Sequence, residues 1–315
     1  FTAMAGSCHR GQTVQARAVY AGANVVVYED VGSPSAGRLD ATYRALGQEY
    51  DAVMHPLLLD QVGNPLAMRP LMNGSDRVAL LFTRFVNDSL PGTAAFVSAC
   101  NFYPRGTFGA SNEAALVYGR VAGANERPAK HLASFAERMV AGRDFEEPWL
   151  EEATARVAEE LYARTFTPGA TWRGNVGFAE SVQCEVMQCD DRPLVMWKHF
   201  TGLHAWLRSA STVRVGQLTG EAGTALSATA ANAAYASGWA LVRHVLDRHV
   251  SDERSALRAL VAGETRVGMA ALATLAGKTE SDLLTEWATS LAVESAPRMA
   301  PLATAPNTWS STAII

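Results

Sequence analysis

Apolar positions divide the chain into two regimes. Up to residue 121 they come in short β-branched runs: VVVYE (25–29) and RVALLFTRFV (77–86) have strand length, and TAAFVSACNF (93–102) and EAALVYGRV (113–121) supply two further strands. Between the first two runs, LDATYRALGQEYDAVMHPLL (39–58) has helical spacing. These elements predict a sheet with one helix packed across it. Beyond residue 127 the spacing is helical nearly to residue 293. In PWLEEATARVAEELY (148–162), Leu150, Ala153, Val157 and Leu161 recur on one face while Glu152 and Glu159 share another. YASGWALVRHVLDRHV (235–250) and ESDLLTEWATSLAV (280–293) repeat the pattern. The expected class is therefore α+β: an N-terminal mixed sheet with a crossing helix, then a mainly helical C-terminal half. The divisions fall at 1–12, a leader-like or linker segment, 13–126, 127–293 and an extended tail, 294–315.

Composition narrows the function classes. With 27 Lys+Arg against 31 Asp+Glu and a pI near 6.0, the chain has no basic field for a phosphate backbone, so nucleic acid is not an expected partner. No apolar run reaches the ~20 residues of a membrane helix. No G-x-S-x-G stands in the sequence, GSPSAG (32–37) and VAGAN (121–125) lack the phosphate-loop lysine and the dinucleotide fingerprint, and Cys100 has no histidine beside it. The opening FTAMAGSC resembles the end of a secretory leader running into a lipoprotein-type cysteine at Cys8, with Ala5 where a lipobox carries Leu. Cys8, Cys100, Cys184 and Cys189 form an even set with three full pairings open to it in an oxidising compartment. The CEVMQC spacing of Cys184 and Cys189 is too wide for a zinc knuckle and suits a local disulfide.

Four stretches carry a resemblance: VVVYEDVGSPSAGRLDATYRALGQEYDAVMHPLL, RVALLFTRFVN, YPRGTFGASNEAALVYGRV and FEEPWLEEATARVAEELYARTF. Together they resemble the hyicolysin-type zinc metallopeptidases, a gluzincin family, over most of residues 13 to 292. In such enzymes an H-E-x-x-H helix offers two imidazoles from one face, its glutamate activates the zinc-bound water, and a glutamate of a following helix completes the ligand set. FEEPWLEEATARVAEELYA is similar to that following helix and matches the third ligand to Glu152. In the same register KHLASFAERM (130–139) resembles the later part of the H-E-x-x-H helix and matches its second histidine to His131. Arg127 then stands at the first histidine and Pro128 at the glutamate. A guanidinium has no lone pair for zinc, and proline carries no base. Pro128 also suits the first turn of a helix, which starts that helix about one turn late.

The resemblance thus implies a metallopeptidase scaffold without its chemistry, with His131 and Glu152 as vestigial metal residues, no cofactor, and zinc as the alternative. The secreted habit of the family, the leader-like start and the even cysteine count imply Cys184–Cys189 and Cys8–Cys100 disulfides in a periplasmic or cell-surface protein, with lipidation as the alternative fate of Cys8. The expected role is a structural or binding subunit of a membrane-associated complex, its partners other protein subunits. Met299, Leu302, Trp309, Ile314 and Ile315 are spaced as anchors along the proline-bearing tail. The competing readings are an active zinc endopeptidase with an atypical first ligand, and a carbohydrate or peptide binder using the vacated cleft.

Overall fold

The structure is a computed structural model that describes residues 1–67, 76–90, 93–121, 147–165, 196–209, 215–216, 226–262 and 267–294. The chain divides into two compact units, 1–144 and 145–315. The fold is α+β, with the sheet in the first unit and helices in the second. The division expected after residue 126 lies outside the described residues, as do Arg127, Pro128, His131, Cys184, Cys189 and the tail positions Met299, Leu302, Trp309, Ile314 and Ile315.

In the first unit, β1 (Thr2–Ala3) and β2 (Gln12–Thr13) pair as a small ribbon. The main sheet comprises β3 (Ala16–Ala21), β4 (Val25–Asp30), β5 (Val78–Thr83), β6 (Ala95–Val97) and β7 (Leu116–Arg120) in the order β3-β4-β5-β7-β6. The central β4, β5 and β7 are parallel, and the edge strands β3 and β6 run antiparallel to them. Central parallel strands are covered on both faces, which explains why VVVYE and VALLFT read as nearly unbroken apolar runs.

Helix α1 (Asp40–Glu49) continues through a π turn at Tyr50–Met54 into α2 (His55–Gln61), along the stretch whose spacing is helical. Tyr43 of α1 stacks on Phe82 of β5 with ring centroids 4.3 Å apart. Gly47 has no side chain because the Tyr20 ring of β3 lies there, 2.2 Å from where a Cβ would stand. The Tyr20 hydroxyl donates to Asp51 (2.9 Å), whose carboxylate also accepts from the Ala23 and Asn24 amides (3.1 and 2.8 Å). One carboxylate therefore ties the β3–β4 turn to the helix.

Two expected strands end early. In RVALLFTRFV the strand stops at Thr83, whose hydroxyl accepts from the Phe85 amide (3.2 Å) and caps the short helix α3 (Arg84–Ser89). TAAFVSACNF yields only the three residues of β6 before a 3-10 turn at Ala99–Phe102. Residues 1–12, expected as leader-like or linker, are packed into the unit: Ala3 and Met4 are buried, and the Val14 amide donates to the Phe1 carbonyl (2.9 Å). The expected Cys8–Cys100 disulfide is present, with the Cα atoms 5.4 Å apart.

The second unit consists of α4 (Pro148–Arg164), α5 (Trp197–Ser209), α6 (Ala228–Arg248), α7 (Glu253–Ala262), α8 (Gly268–Ala276) and α9 (Glu280–Glu294). Pro148 opens α4 in the first-turn position that tolerates it. Small residues set the packing distances. A Cβ on Gly202 of α5 would stand 2.6 Å from the Asn232 carbonyl oxygen and 2.7 Å from the Ala236 Cβ, both on α6. One on Gly238 of α6 would meet the Ala153 Cβ of α4 at 3.1 Å. Among the described residues no helix is long and apolar enough to cross a membrane.

Candidate functional site

Helix α4 carries Glu152 and is enclosed on nearly every side: from Trp149 to Tyr162 all residues but Glu151 are buried. The helix is held at its start by Glu147, which accepts the Trp149 indole N–H (2.6 Å) and whose carbonyl accepts the Leu150 and Glu151 amides (2.9 and 3.2 Å). The face bearing Glu152 and Glu159 was expected to differ from the apolar face. It does so in chemistry but not in exposure, because Glu152 is 9 % exposed and Glu159 1 %. Arg156 lies on the same stripe, at the i+4 spacing from Glu152.

Charges so enclosed must meet partners. Glu160 accepts from the Trp239 indole N–H (2.8 Å) and the Arg243 Nε (3.2 Å), both on α6, and from Arg164 one turn along its own helix. Arg243 in turn donates to both oxygens of Glu253 (2.8 and 2.9 Å) and to Asp247 (3.3 Å). Burial alone would lower the Arg243 pKa; Glu160, Glu253 and Asp247 more than offset it and hold the guanidinium charged. Arg156 donates to the Asn232 side chain (3.1 Å) and lies over the Tyr235 ring at 5.7 Å.

His199 of α5 contacts α4. Its Nε2 is 2.9 Å from the Arg156 carbonyl oxygen and 3.8 Å from Glu159, and its ring packs edge-on to Trp239 (4.8 Å). The partners are one to two turns along the helix from Glu152. His204 sits half-buried on α5. His9 and His55 belong to the first unit, where His9 packs edge-on to Phe108 (5.6 Å) and burial pulls the His55 pKa below its ordinary value. The His131–Glu152 pair itself cannot be drawn, since His131 lies outside the described residues.

Two constellations escaped the sequence reading. The Glu160–Trp239–Arg243 cluster joins positions 79 and 83 residues apart, and such separations have no local signature. The other is His244, His249 and Glu286, whose ligand atoms lie within 4.8 Å of one another. Among the described residues this is the one group of three that could hold a metal ion, and it does not include Glu152. Its signal was the pair of histidines in RHVLDRH, which a search for i, i+4 spacing passes over. No protein-family model matches the chain, and no curated protein matches it in sequence.

Proposed function

We propose that the protein is a catalytically inactive metallopeptidase-like subunit that serves a complex outside the cytoplasm, at a membrane, through its surface rather than through bond cleavage. The observation that carries this reading is the pair Arg127–Pro128, which fills the first-ligand and general-base positions of the peptidase pattern with residues that can do neither job. Two features of the structure support it. Glu152 is enclosed in a helix whose residues from Trp149 to Tyr162 are all buried but Glu151, whereas a catalytic zinc keeps one coordination position open to water and substrate. The Cys8–Cys100 disulfide suits an oxidising compartment. The proline-bearing tail supplies the anchor to other subunits, through Met299, Leu302, Trp309, Ile314 and Ile315.

The test pairs activity with co-purification. The expected outcome is no chelator-sensitive cleavage of casein or of a fluorogenic peptide library, together with stoichiometric companion subunits that are lost when residues 295–315 are removed. Arg127→His combined with Pro128→Glu should add a zinc site to the chain, and Glu152→Gln should remove that added site. Chelator-sensitive cleavage by the natural sequence, abolished by Glu152→Gln, would establish the zinc endopeptidase instead.

A further inference from the structure

The C-terminal end of α6 and the middle of α9 bring three metal-binding groups together. His249 Nε2 is 2.9 Å and His244 Nε2 is 3.4 Å from the same oxygen of Glu286, Oε1. The other carboxylate oxygen, Oε2, is held by the Lys278 ammonium at 2.8 Å. Metal–ligand bonds of about 2.0–2.1 Å at a tetrahedral angle separate neighbouring ligand atoms by about 3.3 Å, close to the two spacings from the histidines to the carboxylate oxygen.

His244 is the informative member. It is 3 % exposed, and its Nε2 has no hydrogen-bond partner. Its Nδ1 lies 3.4 Å from the Ser290 hydroxyl oxygen, and that hydroxyl donates its own hydrogen to the Trp287 carbonyl (2.8 Å). With that hydroxyl hydrogen on Trp287, Ser290 can accept from Nδ1–H, and in this tautomer Nε2 offers a lone pair. Nε2 and Glu286 Oε1, 3.4 Å apart, are then two acceptors that one cation can bridge.

We propose that His244 Nε2, His249 Nε2 and Glu286 Oε1 form a binding site for a divalent transition cation of the zinc class, separate from the peptidase-like positions. Two imidazoles and one carboxylate oxygen suit a borderline-soft ion rather than calcium or magnesium, which take mostly oxygen. Lys278 neutralises one carboxylate oxygen and orients the other, and Ser290 fixes the His244 ring, as outer-shell groups of metal sites do. Three protein ligands leave a fourth position for water. The ion would join α6 to α9.

The inference goes beyond the proposed function and fails independently of it. Chelator-stripped full-length protein is titrated with Zn²⁺ by calorimetry and with Co²⁺ by visible absorption. The expected result is one ion per chain and the intense Co²⁺ bands of four-coordination. Glu286→Gln and His249→Gln should each weaken binding by about 10-fold or more, and Glu152→Gln should leave it unchanged. His249 caps α6 at its partly exposed end, so His249→Gln is the variant least able to disturb folding; circular dichroism checks both. Failure to bind either ion, or affinity undiminished in a folded His249→Gln variant, overturns the site. Binding lost with Glu152→Gln would instead place the ion at the peptidase-like position, and that outcome overturns this site and the proposed function together.

Discussion

Single side chains in this protein do several jobs at once, and Tyr118 is the clearest case. Its hydroxyl donates to the Thr2 carbonyl (2.9 Å) and accepts from the Asn101 and Asn112 amides (3.1 and 2.9 Å). Asn112 also binds both the amide and the carbonyl of Thr2 (2.8 Å each), so Tyr118 of β7 and Asn112 of the segment before it together hold the first strand. Burial raises the Tyr118 pKa to about 12, partly opposed by the two asparagine hydrogen bonds. In the unfolded chain the phenol ionises near pH 10, so the folded state loses stability as the pH rises from about 10 to 12, by about 3 kcal/mol in total. Below pH 10 that contribution is fully present. Tyr118→Phe should cost ~1–3 kcal/mol at neutral pH, because it leaves two buried amides short of an acceptor. It should also reduce the alkaline loss, which denaturant titrations of both proteins at neutral and alkaline pH would read. Equal alkaline slopes would assign the loss to other buried tyrosines. Glu152 was legible at this scale from its helical position, whereas its enclosure was not, because periodicity reports which residues share a face and not what covers that face.

At the scale of elements, the second unit depends on close helix contacts made possible by missing side chains. Gly202 faces backbone: an added Cβ would meet the carbonyl oxygen of Asn232, which cannot move without shifting α6. Gly202→Ala gains ~1 kcal/mol of helix propensity and loses ~1–3 kcal/mol through overpacking. Because the obstructing atom is backbone, the loss wins, and a net destabilisation of up to about 2 kcal/mol is expected by urea titration. A neutral or stabilising result would mean that α5 and α6 slide apart freely. The elements themselves were largely legible. The strands in VVVYE, VALLFT and LVYGR and the helices α1, α4, α6 and α9 follow directly from apolar spacing. β3 was missed because it is an edge strand whose only buried hydrophobic residue is Val19, so its pattern is weak. The overextended strand at 77–86 failed for a different reason, since apolar content cannot reveal that Thr83 caps a helix. The charge cluster of α4 and α6 was invisible because its members meet only after the helices pack.

At the scale of the whole molecule, the α+β order from sheet to helices was legible because the change of apolar period near residue 127 separates the two halves. The disulfide adds a constraint that periodicity could not supply. Cys8 and Cys100 are 92 residues apart, so the bridge closes most of the first unit into one loop. Closing a loop of that length removes enough freedom from the unfolded chain to contribute about 4–5 kcal/mol, with native strain or residual unfolded structure reducing the value. Cys100→Ser, or reduction of the natural protein, should therefore lower the urea midpoint of the first unit by a corresponding amount. The bridge also bears on whether Cys8 can carry a lipid. A sulfur engaged in a disulfide carries no thioether, so Cys8 either joins Cys100 or receives a lipid, and the bridge is the state seen here. Proteolysis without reduction should release one cross-linked peptide containing both cysteines. A diacylglyceryl group on the Cys8 peptide, with Cys100 free to alkylate, would overturn that assignment.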